Sequence, residues 1–224
     1  MAAKSQLRAR IFLVDDHPMM RAGLAQMINR QPDMFVCGEA AQPDEALRLF
    51  SQAVPDLVLT DLAMPGRGGI EFIKALMALC PDLLILVLSM YDERLLAERC
   101  LRAGARGYIM KEAGSDHLLA ALRHVIGGQV YVSPRVSESI LGNLSARKPR
   151  RSDSPISSLS DREFEVLQLV GRGMSTREIG AQLHLSPKTV DAHRGNIRET
   201  LCLKDAAALV RYAIQWLGSQ SSPI

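Results

Sequence analysis

The chain has 224 residues, 47% of them hydrophobic and 23% charged, with a formal net charge of +3; this is the balance of an ordinary soluble globular protein, and its length suits two small domains. The four cysteines, Cys37, Cys80, Cys100 and Cys202, are scattered without a CxxC pair, so neither a zinc site nor a disulfide framework is expected and a reducing cytoplasm fits. The first ten residues carry Lys4, Arg8 and Arg10 but no apolar stretch, and no run approaches the roughly 20 apolar residues of a membrane span, so neither export nor membrane insertion is expected.

The first elements alternate. Residues 11–14 form an apolar run that ends on Asp15-Asp16, and after His17-Pro18 the spacing of Met20, Leu24, Met27 and Ile28 predicts a helix. Residues 34–36 read as a second strand, and Ala46, Leu47 and Phe50 mark the next helix. The run Leu57-Val58-Leu59-Thr60 stops on Asp61 and breaks into Leu62-Ala63-Met64-Pro65-Gly66. Apolar on both sides, it is the kind of strand that is buried in a parallel sheet. Ile70, Ile73, Leu76 and Met77 give a third helical face, residues 83–88 a strand ending on Ser89, and Leu95, Leu96 and Leu101 another helix. Tyr108-Ile109-Met110 is a short strand ending on Lys111; Ser115 is expected to cap a last helix, which Gly127-Gly128 terminates.

Five such alternations with right-handed crossovers predict a doubly wound, five-stranded parallel sheet with helices on both faces. That topology brings the polar residues ending the strands to one edge, where open α/β sheets bind ligands. Asp15, Asp16, Asp61, Ser89 and Lys111 should therefore converge. Taken singly, each has an ordinary explanation: Asp61 or Ser89 as a helix cap, Lys111 as a surface lysine. Together, three crowded carboxylates favour a divalent cation; hard oxygen ligands favour magnesium or calcium, and magnesium suits phosphate chemistry.

This set, with Met64-Pro65-Gly66 behind Asp61 and Tyr108 before Lys111, resembles the receiver domain of bacterial two-component response regulators over roughly residues 8–130. The resemblance implies the flavodoxin-like strand order 2-1-3-4-5, and that Asp61 accepts a phosphoryl group from a phosphohistidine on a sensor histidine kinase. It further implies Mg2+ held by Asp16, Asp61 and the backbone carbonyl of Ala63, with Asp15 helping through water. Ser89 and Lys111 would contact phosphoryl oxygens, and Tyr108 would be the aromatic switch. Many receivers place a cis proline after the lysine; here Glu112 stands there.

Residues 131–156 read as a linker. They contain one apolar patch, Ile140, Leu141 and Leu144, suited to a short helix, and the stretch Arg147-Lys148-Pro149-Arg150-Arg151-Ser152-Asp153-Ser154-Pro155. Up to Ala146 the chain has 15 basic and 16 acidic residues, and after it 12 and 8. The C-terminal part thus carries +4 against −1, which hints at a polyanionic partner.

Residues 157–220 carry explicit helix punctuation. Ser160-Asp161-Arg162-Glu163 is a capping box with Leu159 and Phe164 at staple spacing, and Ser175-Thr176-Arg177-Glu178 is a second box. Ser186 caps a third helix with Pro187 in its first position, and Asp205 a fourth. The third helix would bury Val190, Ile197 and Leu201. It would present Lys188, Thr189, Asp191, Ala192, His193, Arg194, Gly195 and Arg198; a helix that shows mainly small and basic residues is suited to entering a DNA major groove about 12 Å wide. Of the histidines only His193 is given a functional role; His17, His117, His124 and His184 form no metal-spaced cluster, and Trp216 is read as packing or a dimer contact.

Leu159-Ser160-Asp161-Arg162-Glu163, Glu178-Ile179, Thr189-Val190, His193 and Asn196-Ile197 resemble the LuxR-type helix-turn-helix, and behind a receiver the whole chain resembles the NarL/FixJ family. Gly180, Thr200 and Cys202 depart from the alanine, lysine and glycine common there. The resemblance implies a cytoplasmic, non-enzymatic regulator in which phospho-Asp61 switches homodimerisation and sequence-specific binding of double-stranded DNA, acting with RNA polymerase. Leu209, Val210 and Ala213 on the fourth helix would pair the DNA-binding domains. Two alternatives belong to other classes: a phosphate-independent regulator that uses the receiver as a dimerisation scaffold, and a small-molecule phosphotransferase. The second lacks an additional general acid or base near Asp61.

Overall fold

The apolar runs of the first half pair as parallel strands. β1 (Ala9–Val14), β2 (Met34–Ala40), β3 (Leu57–Thr60), β4 (Leu84–Ser89) and β5 (Gly107–Met110) form one sheet in the order β2-β1-β3-β4-β5, as expected. The structure, a computed structural model, describes residues 8–64, 66, 68–145 and 155–220; Pro65 and most of the basic linker stretch lie outside these. All four β3 residues and five of the six in β4 are buried, which is why neither strand shows a polar alternation. The crossovers are α1 (Pro18–Asn29), α2 (Pro43–Ala53), α3 (Gly69–Leu79), α4 (Glu93–Ala103) and α5 (Ser115–Ile126). On one face of the sheet Leu24 and Ile28 of α1 and Leu118, Leu122 and Val125 of α5 pack with Ile11, Leu13, Leu59 and Leu88.

Two local readings are corrected. β2 runs on to Ala40, past Gly38 and Glu39; it is an edge strand with a half-exposed surface, so polar residues do not end it. A side chain at 38 would put its Cβ 2.5 Å from the Phe12 ring, where the register between β1 and β2 slips. Ser115 does not cap α5. It is the first helical residue, Gly114 (φ 81°) takes the cap position, and no side chain bonds there.

The sheet reaches slightly beyond residue 130. Tyr131 donates its N–H to the Arg106 carbonyl (3.0 Å) and accepts from the Tyr108 N–H (2.9 Å) on the outer edge of β5. α6 (Pro134–Ser145) follows, the helix expected in the linker; its Leu141 is exposed, and the Leu144 side chain lies outside the described residues.

The chain divides into two compact units, the first holding the sheet and the second the C-terminal helices. The second contains α7 (Asp161–Gly171), α8 (Thr176–Leu183), α9 (Pro187–Thr200) and α10 (Ala206–Gln220). Both capping boxes form in full, Ser186 accepts from the Thr189 N–H, and Asp205 Oδ1 accepts from the Ala208 N–H at 2.7 Å. Leu159 and Phe164 are both buried, and Phe164 meets Trp216 edge-on at 5.3 Å, so Trp216 is part of the packing. Gly171 lets α7 and α10 approach: a Cβ there would lie 2.7 Å from the Ala213 carbonyl oxygen. Gly180 does the same in the α8–α9 turn, where a Cβ would stand 2.8 Å from the Leu185 carbonyl oxygen and Leu185 donates to Gly180 O. Cys202 holds the left-handed turn before α10 at φ 53°, a conformation that glycine adopts with less strain.

Candidate acidic site and nucleic-acid interface

The strand ends do converge. Asp61, the residue after β3, is 2% exposed and Asp15, after β1, is 3% exposed. Lys111, after β5, donates from Nζ to both, at 2.8 Å to Asp15 Oδ2 and 2.7 Å to Asp61 Oδ2. Asp61 is oriented from its other side, because Oδ1 accepts from the Leu62 N–H (2.6 Å) and the Ala63 N–H (3.1 Å). The loop supplying those amides is pressed onto the start of α3: a Cβ at Gly69 would be 2.7 Å from the Leu62 Cα. Ser89 is fully buried and pairs in register with Met110, the residue before Lys111. Tyr108 is 1% exposed, opposite Val87. The Lys111–Glu112 peptide is trans, as are all described peptide bonds.

Burial alone would lower the Lys111 pKa. The charge of Asp61 and the hydrogen bonds to Asp15 and Asp61 outweigh it, so the ammonium is held above its ordinary value. Lys111 nonetheless pairs with only two of the three clustered carboxylates. Asp16 Oδ1 is sealed from solvent and accepts no hydrogen bond, although His17 Nδ1 lies 2.9 Å away. Oxygen atoms of Asp15, Asp16 and Asp61 and a His17 nitrogen all fall within 4.8 Å of one another. An orphaned carboxylate oxygen among hard oxygen donors with a surplus of negative charge suits a divalent cation of the magnesium type. His17 is the neighbour that sequence reasoning left out. Its backbone N–H donates to Asp15 Oδ1 at 2.8 Å, and its position directly after Asp15-Asp16 was the available signal.

In the second unit, α9 buries Val190 and Ile197 and leaves Lys188, Asp191 and Ala192 exposed, with Thr189, Arg194, Gly195 and Arg198 half-buried. His193 is different, since its Nδ1 is sealed inside the unit without a hydrogen-bond partner. Near it, burial pushes the Glu163 carboxyl up, but the Ser160 backbone and hydroxyl bonds, helped by a bond from Asn196, hold it below its ordinary value. Of the expected dimer contacts, Leu209 and Ala213 are 0% exposed within the chain, on the inward stripe of α10. The outward side of α10 carries Ala207, Arg211 and Ile214, with Val210 half-buried beside them.

A doubly wound sheet with an acid and lysine site at its carboxyl edge, followed by a helix-turn-helix, defines a receiver joined to a DNA-binding module. Comparison with known proteins agrees. The family model for the response regulator receiver domain matches residues 11–123, and that for bacterial regulatory proteins of the luxR family matches residues 157–213. The chain is 36% identical over 210 residues to the oxygen regulatory protein NreC of Staphylococcus carnosus (strain TM300), covering 92% of this chain and 97% of that one. It is 34% identical over 206 residues to the response regulator GacA of Pseudomonas aeruginosa, covering 92% and 95%. RcsB from Salmonella enterica serovar Typhimurium, solved bound to the promoter rprA with phosphomimetic BeF3−, superposes with a TM-score of 0.71 at 25% identity, over 92% of this chain and 98% of that one. The chain belongs to the NarL/FixJ family of two-component response regulators, with a LuxR-type DNA-binding domain. Members of this family are DNA-binding regulators of transcription rather than enzymes in the ordinary sense. Among the described residues no helix is long and apolar enough to cross a membrane.

Proposed function

We propose that Asp61 is the phosphoacceptor of this regulator and that its phosphorylation by a partner histidine kinase switches dimerisation and DNA binding. The observation that carries the reading is Lys111 bridging two buried aspartates at the carboxyl edge of the sheet. A carboxylate oxygen of Asp61 attacks the phosphorus of a phosphohistidine; the new O–P bond forms as the P–N bond breaks, and its electron pair leaves with the imidazole. The two loop amides fix the attacking carboxylate, and Lys111 offsets the charge on the phosphoryl oxygens. Ser89 donates its hydroxyl to one of them, and Tyr108 on β5 reports the change. Asp15, Asp16, Asp61 and the Ala63 carbonyl would hold Mg2+, which supplies charge neutralisation when bound. The receiver portion spans residues 8–130, the linker 131–156 and the DNA-binding portion 157–220.

The second unit enters the DNA major groove with α9, the small side chains of Ala192 and Gly195 allowing close approach and Lys188, Thr189, Arg194 and Arg198 meeting phosphates or bases. His193 supports that helix from within. The outward stripe of α10, Val210 with Ile214, pairs two such units on half-sites, and the bound dimer acts on RNA polymerase in the cytoplasm. Acetyl phosphate with magnesium tests the first step: label should enter the wild-type chain and not Asp61→Asn, and equal labelling of both would disprove the assignment. Affinity for promoter DNA should fall steeply with salt as counterions are released; a flat response would remove the electrostatic part of the reading.

A further inference from the structure

One hydroxyl joins the two helices of the helix-turn-helix. Thr176, in the first turn of α8, donates from Oγ1 to Asp191 Oδ1 (3.1 Å) and accepts from Arg194 Nη1 (3.0 Å). A hydroxyl has one hydrogen and a guanidinium accepts none, so the direction of both bonds is fixed. Asp191 and Arg194 are thereby held one turn apart on α9. Asp191 is exposed, and among the described residues its Oδ2 accepts no hydrogen bond and neither oxygen is in an ion pair with a lysine or arginine.

A carboxylate on a face that meets phosphates weakens binding to DNA of any sequence. Linking the helices does not require the charge, because an amide oxygen would accept from Thr176 equally well. The charge is explained if the carboxylate is itself a reader. It can only accept hydrogen bonds. In the major groove, guanine and thymine offer it acceptors, and adenine sets the N7 acceptor beside its amino group; cytosine alone presents a donor with no acceptor of its own next to it. Asp191 is the fifth residue of α9, in the N-terminal part of a recognition helix that contacts base edges. Lys188, one turn earlier and exposed, can take the O6 and N7 acceptors of a paired or neighbouring guanine.

We propose that Asp191 is a specificity-determining residue that selects cytosine through its amino group, and that Thr176 is the positioning residue that aims it. The inference rests on the reading that α9 enters the major groove. Its test is selection from a library of randomised double-stranded DNA by the full chain, phosphorylated with acetyl phosphate and magnesium. The wild-type chain should enrich cytosine at one position of each half-site. Asp191→Asn, which keeps an acceptor for Thr176, should move that position toward adenine, the base asparagine reads. Asp191→Ala should lose the preference there by about 5-fold to 100-fold while binding random DNA more tightly. Thr176→Val should weaken the cytosine preference without replacing it. If Asp191→Asn and Asp191→Ala both select the same bases as wild type at every position, the proposal is overturned and the DNA-binding reading stands. If the wild-type chain selects no sequence at all, that reading fails and the proposal fails with it.

Discussion

Replacing Lys111 by methionine isolates the electrostatics of the acidic site. In the native site the Nζ lies 2.8 Å from Asp15 and 2.7 Å from Asp61, and the three side chains are 5%, 4% and 1% exposed. Methionine keeps much of the lysine stem but leaves two buried carboxylates with no cation, and removing one partner of such a buried pair costs about 3–5 kcal/mol. For a unit of this size, that corresponds to a fall in melting temperature of about 10–20 °C. Scanning calorimetry in chelator would measure it in the sheet-containing unit. Adding magnesium should return part of the loss, because a cation replaces the missing charge. Combining Lys111→Met with Asp61→Asn should return most of it without metal, because one of the opposed charges is gone. A single variant melting within about 2 °C of wild type, equivalent to a fraction of a kcal/mol, would refute the claim that Lys111 holds these carboxylates together.

Other expectations are smaller. Ser160→Ala removes the hydroxyl half of the α7 capping box and should lower the stability of the second unit by about 1 kcal/mol, read from a shifted urea midpoint; an unchanged midpoint would contradict it. Gly180→Ala drives a Cβ against the Leu185 backbone and should cost about 1–3 kcal/mol, weakening DNA binding along with the turn; a neutral effect would mean the α8–α9 turn yields freely. Val54 ends α2 in the left-handed region at φ 43° while more than half exposed. Val54→Gly should therefore stabilise by about 0.5–1 kcal/mol, since relief of about 1–2 kcal/mol exceeds the added unfolded-state entropy; a lower urea midpoint would refute this. Arg10, by its side-chain hydrogen bond, holds the Asp56 carboxyl below the usual carboxylate range. Its contribution is present above the unfolded-state value of about 3.9 and is lost as pH falls through the lower folded value. Asp56→Asn should thus flatten the stability curve below about pH 4, and superimposable acid limbs would rule that out.

What was legible in the sequence followed from how much burial constrains composition. β3 and β4 are covered on both faces, so their residues could only be apolar, and the polar residue ending each marked the same sheet edge. That logic placed Asp61 and Lys111 together although they are 50 positions apart. β2 was cut short because an edge strand tolerates Gly38 and Glu39. Ser115 looked like a cap because serine commonly is one, whereas Gly114 provides the turn by adopting a positive φ that few residues tolerate. Leu209 and Ala213 are given to a dimer face only by the resemblance, and both are buried within the chain; apolar spacing identifies a buried stripe, but it does not say whether the cover is the chain itself or a second copy. The Thr176 link to Asp191 and Arg194 gave no sequence signal, because contact between two helices depends on how they cross.

Both functional faces carry charge in places that stability or simple affinity would not select. At the sheet edge, three carboxylates cluster and one lysine pairs with two of them, and an apolar substitute of the same volume would be no worse for folding and often better. On α9, Asp191 stands among basic residues where an alanine would bind polyanions more readily. In the first case the negative charge would hold a cation, and in the proposed transfer it makes the Asp61 carboxylate a nucleophile, with the cation offsetting the phosphoryl oxygens. In the second it penalises most base pairs and is relieved by one, which is how a repulsive element produces discrimination. The same test applies to both: restoring neutrality should gain stability or non-specific affinity while removing phosphoryl uptake in the first unit and base preference in the second. A variant that gained the one without losing the other would separate the charge from the function.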